Sequence, residues 1–487
     1  MSVQGRHSDV ALNWVGGQWV DSPVHRPVLD PATGNQIGTF ALADADLVRR
    51  AVDVAHQTFR ESDWRHDRQL RAKVLNSMAD RVEERRDELI ELLALNNGKI
   101  VPEATFEVSM VPSKLRWWAA MALTEQGRAS AMPGQRTSIV VREAVGVAGI
   151  IVPFNSPVIL AVRSLAPALA AGTTAVVKFP EETALVNSLF AEVMSESAGL
   201  PAGVVNAVNA DREAGSVLVE SPRVPVISFT GSTATGRQIS AQGAGRLKRF
   251  GLELGGKTPM ILCESADLEE ALPTVQRAIT VFAGQFCMAG SRLLVHRSIA
   301  DRVRKELVER LGSVRVGPAS DPTSEMGPLI STSNVARVDT VVEQAIADGA
   351  TALVRGGPST DPRLAGGAFY EPTLLEVSDQ SAAIIQQETF GPVLTLQVFD
   401  TEEEAIALAN DSEYGLSASV WSRDVDQPLR IAHQLESGTV WINGWAVVYD
   451  EFEEGGYKQS GAGRLNGTSA MDDFLEFKHI TMGPAAH

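Results

Sequence analysis

The sequence predicts an α/β protein built around a doubly wound parallel sheet, and three observations carry that prediction. Strand-like and helix-like segments alternate through most of the 487 residues, as they do when helical crossovers join parallel strands. Val145-Gly146-Val147-Ala148-Gly149-Ile150-Ile151-Val152 is a continuous apolar run, the mark of a strand covered on both faces. The turn Phe229-Thr230-Gly231-Ser232-Thr233-Ala234-Thr235-Gly236 closes a strand and opens a helix near Arg237. Glycines there let the backbone approach a pyrophosphate, and a helix N-terminus offers it unpaired N–H groups. The turn departs from G-x-G-x-x-G, so a plain strand-to-helix turn stays open as the alternative.

In chain order, Asn13-Trp14-Val15-Gly16-Gly17-Gln18-Trp19-Val20 reads as an aromatic-rich hairpin with Gly-Gly at its tip. From Asp44 to about Asn97 apolar residues recur at helical spacing, as in Leu70, Val74, Leu75, Met78, Ala79 and Val82, until Asn97-Gly98 stops the run. Residues 128–142 differ: Met132-Pro133-Gly134 is a turn and Thr137–Arg142 a strand, either an arm for another subunit or an internal hairpin. Pro157 to Ala171 is helical, with Pro167 a candidate kink and Gly172 the stop. Strand Thr174–Phe179, helix Glu182–Ser197 and strands Val204–Val208 and Val224–Phe229 complete the first unit. Alternation restarts at Pro259–Leu262, followed by a helical stretch from about Asp267 to Phe282, interrupted or kinked at Pro273, and strand Arg292–His296. Residues 317–334 and 356–367 read as surface connections.

The length suits about three units of ~150 residues or a large two-domain protein. A hydrophobic content of 44% and a charged content of 21% suit a globular chain with a substantial core. The net charge of −17, from 43 basic and 60 acidic side chains, argues against nucleic acid and anionic membrane as partners. No apolar run approaches the ~20 residues of a spanning helix, and Met1–His7 lacks a signal-peptide core. The two cysteines, Cys263 and Cys287, make no disulfide framework, and no Cys/His cluster has zinc spacing. The expectation is a reduced, cytoplasmic, metal-free protein.

Two segments carry chemistry. Gly284-Gln285-Phe286-Cys287-Met288-Ala289-Gly290 sets a thiol among glycines, and Glu253-Leu254-Gly255-Gly256-Lys257 sets a carboxylate beside a glycine pair. A thiolate attacks a carbonyl carbon, and a carboxylate activates the water that releases the acyl group. A buried structural cysteine near a salt-bridged glutamate is the bland alternative. Cys263, at the end of an apolar strand, reads as structural. Lys178 closes a strand, and Glu181 could accept both hydroxyls of an adenosine ribose while repelling a 2′-phosphate, a lean toward NAD with NADP possible. A solvated Lys-Glu pair is the other reading there.

These segments stand in a familiar order: Pro153-Phe154-Asn155, Lys178-Phe179-Pro180-Glu181, Phe229-Thr230-Gly231-Ser232, Glu253-Leu254-Gly255-Gly256-Lys257, Gly284-Gln285-Phe286-Cys287, Glu388-Thr389-Phe390-Gly391-Pro392 and Gly455-Gly456-Tyr457-Lys458-Gln459-Ser460-Gly461. The chain resembles the non-acylating branch of the aldehyde dehydrogenase superfamily over nearly its whole length. The resemblance implies a Rossmann-like cofactor domain (1–120 and 143–252), a second α/β catalytic domain (253–455) and a small β oligomerisation arm (121–142 and 465–487). It implies Cys287 as the nucleophile that forms a thiohemiacetal and then a thioester. Asn155 and the Cys287 N–H would form the oxyanion hole, and Glu253 would assist hydrolysis to the acid. Lys178, Glu181, Phe229, Gly231, Ser232, Glu388 and Phe390 would bind the cofactor. A homodimer or homotetramer is implied as well.

Substrate choice is where the resemblance thins. Ser156 replaces the bulky residue common after the oxyanion-hole Asn. Phe286, Met288 and Trp117-Trp118 suggest an apolar channel for an aromatic or hydrophobic aldehyde, with helix-core packing the alternative for the tryptophans. Glu453-Glu454 replaces the common Pro-aromatic pair, and with Asp450 and Glu451 it allows a cationic, betaine- or amino-type aldehyde, or else a solvated acidic loop. Outside this chemistry, a cofactor-independent thiol hydrolase lacks a placed His, and a non-catalytic family member sits poorly with intact Cys287, Glu253 and Asn155.

Overall fold

The computed structural model describes residues 10–124 and 126–483. Met1–His7 and the end of the C-terminal segment, 484–487, lie outside the described residues.

Five parallel strands form the centre of the first sheet: Val147–Ile151, Thr174–Phe179, Val205–Asn209, Val226–Thr230 and Arg249–Glu253. Their spatial order is third, second, first, fourth, fifth. The winding therefore reverses between Val147–Ile151 and Val226–Thr230, and a crevice opens past their carboxyl ends. Helices Pro157–Ala171, Ala184–Ser195, Arg212–Glu220 and Thr233–Ala244 make the crossovers. At one edge the hairpin Asn13–Val15/Gln18–Val20 adds antiparallel, with Trp14 opposite Ala207 and Trp19. At the other edge Gly461–Ala462 pairs antiparallel with Leu252–Glu253.

The second sheet has seven strands, in the order Thr351–Val354, Thr373–Glu376, Val393–Phe399, Arg292–His296, Pro259–Leu262, Ser417–Trp421 and Thr439–Ile442. All pairs are parallel except the first. Residues 128–142 pair within the chain: Arg128–Met132 and Arg136–Ala144 form a hairpin, and Leu475–Met482 lies antiparallel on the latter. The outer edges of this small sheet stay open, and Phe477, Ile480 and Met482 are exposed. Among the described residues no helix is long and apolar enough to cross a membrane.

Neither internal proline interrupts its helix. Pro167 lies inside the continuous helix Pro157–Ala171, and Pro273 lies inside Leu268–Thr280. Each proline removes one backbone bond, but the face formed by Leu268, Ala271, Leu272, Val275, Ala278 and Ile279 is buried, and that packing holds the helix together. Gly98 and Gly172 end their helices in the left-handed conformation, as expected.

Candidate active site

The segment before Cys287 is unusual in backbone. Helix Leu268–Thr280 ends, and Phe282, Ala283 and Gly284 then take φ of 52°, 52° and 71°. Left-handed backbone is costly for the first two residues, so something must hold it. Phe282 N donates to Glu103 Oε1 at 2.8 Å, and Gln285 N and Nε2 both donate to Phe282 O at 3.0 Å. Gly284 crosses directly over the Gly391–Pro392 backbone, where any Cβ would collide. Beyond it, the Phe286 ring stands edge-on to Phe282 and Trp445, and Trp445 Nε1 donates to Met288 O at 2.9 Å. Cys287 ends up half-buried between these aromatic residues and the Glu253 loop. Gly256 packs so close that a Cβ would lie 2.6 Å from Cys287 O.

Asn155 follows strand Val147–Ile151 at the crevice, and its Nδ2 donates to Gln285 O at 2.9 Å. One of the two amide hydrogens is thereby used, and the other is left for a ligand oxygen. Ser156 makes no cap bond to the helix that follows. Its N-terminus is capped from outside instead, with Val158 N and Ile159 N donating to Glu107 Oε1 at 2.9 and 3.2 Å. Lys99 Nζ is ion-paired to Glu107, donates to Ser156 Oγ at 3.0 Å and sits 3.8 Å from the Phe282 ring centre. One buried cluster, Lys99/Glu103/Glu107, thus braces both the Asn155 helix and the turn before Cys287. The sequence reading missed it, although Glu103 and Glu107 stand four apart on helix Val101–Ser109 and Lys99 just precedes that helix.

Glu253 closes strand Arg249–Glu253 and is buried. Burial pushes its carboxyl up to about 8, against the opposing charge of Arg163 and with the help of Glu454. Burial likewise pushes the Cys287 thiol up to about 12, opposed by Arg163 and reinforced by Glu454, Glu388 and Glu253. Arg163 is the single charged residue in helix Pro157–Ala171, which is a signal that sequence reading could have used. Its Nη2 lies 2.7 Å from Glu454 Oε2. Glu454 is 4% exposed and also accepts from Asn466 Nδ2 at 2.9 Å. The solvated-loop reading fails for Glu454, because a buried guanidinium draws it inward. Glu453 does lie at the surface, where it caps Ser469. Of the two tryptophans, Trp118 is core and Trp117 is only partly buried.

Lys178, Glu181, Phe229, Gly231 and Ser232 lie at the carboxyl ends of the first sheet, and Glu388 and Phe390 lie in the loop before strand Val393–Phe399 of the second. Ser232 Oγ caps helix Thr233–Ala244 through Thr235 N at 3.3 Å, so the helix N-terminus faces the switch-point crevice. Phe229 is buried with its ring beneath Gly231. Lys178 ends strand Thr174–Phe179, and burial lowers its pKa. Glu181 is not half of a Lys-Glu pair: its partner is Arg26, whose Nη2 is also 3.6 Å from Asp211 Oδ2. Glu388 Oε1 accepts from Gly256 N at 3.2 Å, and burial raises its carboxyl to about 7. Phe390 adopts φ 50° and packs edge-on against Phe154, while Arg337 donates to its carbonyl at 3.1 Å. An open helix N-terminus, a side-chain-free Gly231 and carboxylates at both ends of the crevice fit a dinucleotide.

The family model described as the aldehyde dehydrogenase family matches residues 19–480. The chain belongs to that family. Its relatives include betaine aldehyde dehydrogenase of Bacillus subtilis (strain 168), 37% identical over 473 residues that span 96% of each protein. Hydroxyisobutyraldehyde dehydrogenase of Mycolicibacterium austroafricanum is 39% identical, over 96% of this chain and 93% of that one. Among solved structures, betaine aldehyde dehydrogenase from Staphylococcus aureus in complex with NAD+ superposes with a TM-score of 0.95. It is 35% identical, and the match covers 98% of this chain and 95% of that one. Aldehyde dehydrogenase membership also settles the fold, two α/β units with parallel-strand sheets.

Proposed function

We propose that this aldehyde dehydrogenase oxidises an aldehyde to its carboxylic acid, with Cys287 as nucleophile, Glu253 as base and NAD as cofactor. The supporting observation is the convergence of Cys287, Asn155 and Glu253 beside the switch-point crevice. Lys178, Glu181, Ser232 and Glu388 would hold NAD there, and the bound cofactor supplies the hydride acceptor. Cys287 Sγ attacks the carbonyl carbon, and the new oxyanion is held by the free Asn155 N–H and the Cys287 backbone N–H. Cys287 attacks as its thiolate, the thiol proton having passed to solvent, so the Glu253 carboxylate stays unprotonated for the later step. Glu253 then takes a proton from the water that attacks the thioester.

Only the ionised form of Glu253 can act as base. With its carboxyl at about 8, the hydrolytic rate rises with pH from 7 to 9 and levels off above that. Glu253→Gln is expected to retain one rapid turnover of reduced cofactor, to slow steady-state turnover by ~100-fold or more and to lose that pH rise. Stopped-flow absorbance separates the burst from the steady state; an unchanged steady-state rate would remove Glu253 from the mechanism.

For substrate, sequence alone favours an aromatic or hydrophobic aldehyde. Two of the proteins compared above are named for betaine aldehyde, and this supports the cationic alternative instead. Phe286, read above as channel lining, serves it too, because an aromatic face attracts a quaternary ammonium as well as it packs an alkyl chain. Reduced-cofactor formation with betaine aldehyde and with its uncharged tert-butyl isostere tests the reading. Equal specificity constants would remove it.

Glu181 and Arg26 bear on the cofactor. Glu181→Gln releases Arg26 toward a 2′-phosphate and removes the opposing carboxylate. The ratio of kcat/KM for NADP over NAD is expected to rise about tenfold, measured by initial rates with each cofactor. We infer further that the open edges of the Arg128–Ala144/Leu475–Met482 sheet pair with another copy of the chain, which light scattering on the purified protein tests.

A further inference from the structure

The charge arrangement beside Cys287 goes further than the reaction. Arg163 projects from the helix that follows Asn155, and its charge acts on both Glu253 and Cys287. A guanidinium at that place would repel a cationic aldehyde at the distance of the reacting carbon. Glu454 stands against it, with Oε2 2.7 Å from Arg163 Nη2 and 2.9 Å from Asn466 Nδ2. Asn466 Oδ1 in turn accepts from Lys114 Nζ at 2.7 Å, and Lys114 is ion-paired with Asp450. Two cations therefore meet two carboxylates, and the set is neutral. The position is rigid: Glu454 and Leu465 exchange backbone bonds at 2.7 Å in both directions, and the next residue, Gly455, packs on Glu253 Oε1. Arg163 Nε and Nη2 have no hydrogen-bond partner among the described residues, so Glu454 meets the guanidinium as an ion pair.

We propose that Glu454 is a specificity-determining residue: by neutralising Arg163 beside the nucleophile, it admits aldehydes that carry a positive charge. The proposal rests on the aldehyde-oxidising reading above. With the pair intact, Arg163 and Glu454 together add no net charge beside the reacting carbon. Without Glu454, an unpaired guanidinium faces it and favours an aldehyde that ends in a carboxylate.

The test is the ratio of kcat/KM among betaine aldehyde, its uncharged tert-butyl isostere and succinate semialdehyde, in the full-length enzyme with NAD. Glu454→Gln keeps the side-chain shape and removes the charge. It is expected to lower the betaine-to-isostere ratio about tenfold or more and to raise the semialdehyde-to-isostere ratio by a similar factor, mostly through KM. Arg163→Met leaves Glu454 uncompensated and is expected to move both ratios the other way. The Arg163→Met/Glu454→Met double variant removes both charges and is expected to return the ratios to those of the wild type. It also serves if Glu454→Gln does not fold. A pair that only stiffens the fold would depress all three substrates alike, and unchanged ratios across the variants would overturn the proposal. A wild-type enzyme silent on every aldehyde would instead remove the oxidation reading, and this proposal with it.

Discussion

Cys287→Ala is expected to lower aldehyde oxidation by at least about four orders of magnitude while leaving NAD affinity within about twofold. The size follows from the chemistry: the acyl group has no other sulfur to reside on. Cys263 is the only other thiol in the chain, and it is buried at the far side of strand Pro259–Leu262 with its pKa pushed up to about 12. Cys287 lies in the turn before strand Arg292–His296, where Ala removes only the sulfur. Reduced-cofactor production measures the loss, and quenching of protein fluorescence by NAD measures the binding. Residual turnover above about one part in a hundred would point to another nucleophile.

The second large effect lies away from the reacting atoms. Lys99→Met removes the cation from the Lys99/Glu103/Glu107 cluster and leaves the buried Glu107 without its ion-pair partner. Breaking a buried pair from one side typically costs about 3–5 kcal/mol. Here Glu107 also caps the Asn155 helix, and Glu103, whose carboxyl burial already raises to about 7, holds the left-handed Phe282. The loss should therefore appear twice: as a lower denaturation midpoint, and as a fall in kcat of about tenfold or more from misplacement of Asn155 and Cys287. Urea unfolding and steady-state rates measure the two. Lys99→Met/Glu107→Gln should recover part of the stability, because it removes the uncompensated charge. A single variant as stable as the wild type would show that the cluster braces nothing.

The first sheet was readable because its signals are local. Continuous apolar strands, glycine stops and the Gly231-Ser232 turn each declare themselves within a few residues, and seven ordered motifs placed the catalytic segments. The electrostatic partners were not readable in that way. Arg26 meets Glu181, and Arg163 meets Glu454, across long stretches of chain, and only the fold brings them together. At Pro273 the interruption that the sequence allowed does not occur, because tertiary packing outweighs the local cost. Glu454 was misjudged because a run of acidic residues ordinarily belongs to solvent, and nothing local announces a buried guanidinium opposite. The substrate reading suffered from the same ambiguity, since aromatic side chains suit an apolar chain and a quaternary ammonium equally.

The edge strand Gly461–Ala462 has a consequence for synthesis. It pairs with the strand that carries Glu253, Leu254 N donates to Ser460 O at 2.9 Å and Ser460 Oγ donates to Gly255 O at 2.7 Å. The residues that fix the base thus lie 205 residues further along the chain than Gly255. During elongation the N-terminal sheet can collapse as a unit, yet the Glu253 loop stays without its clamp until Gly461–Ala462 has emerged. A nascent chain stalled before Ser460 would carry its thiol and its glutamate but not their working alignment, so the reactive centre comes into being only after the sheet that bears the base.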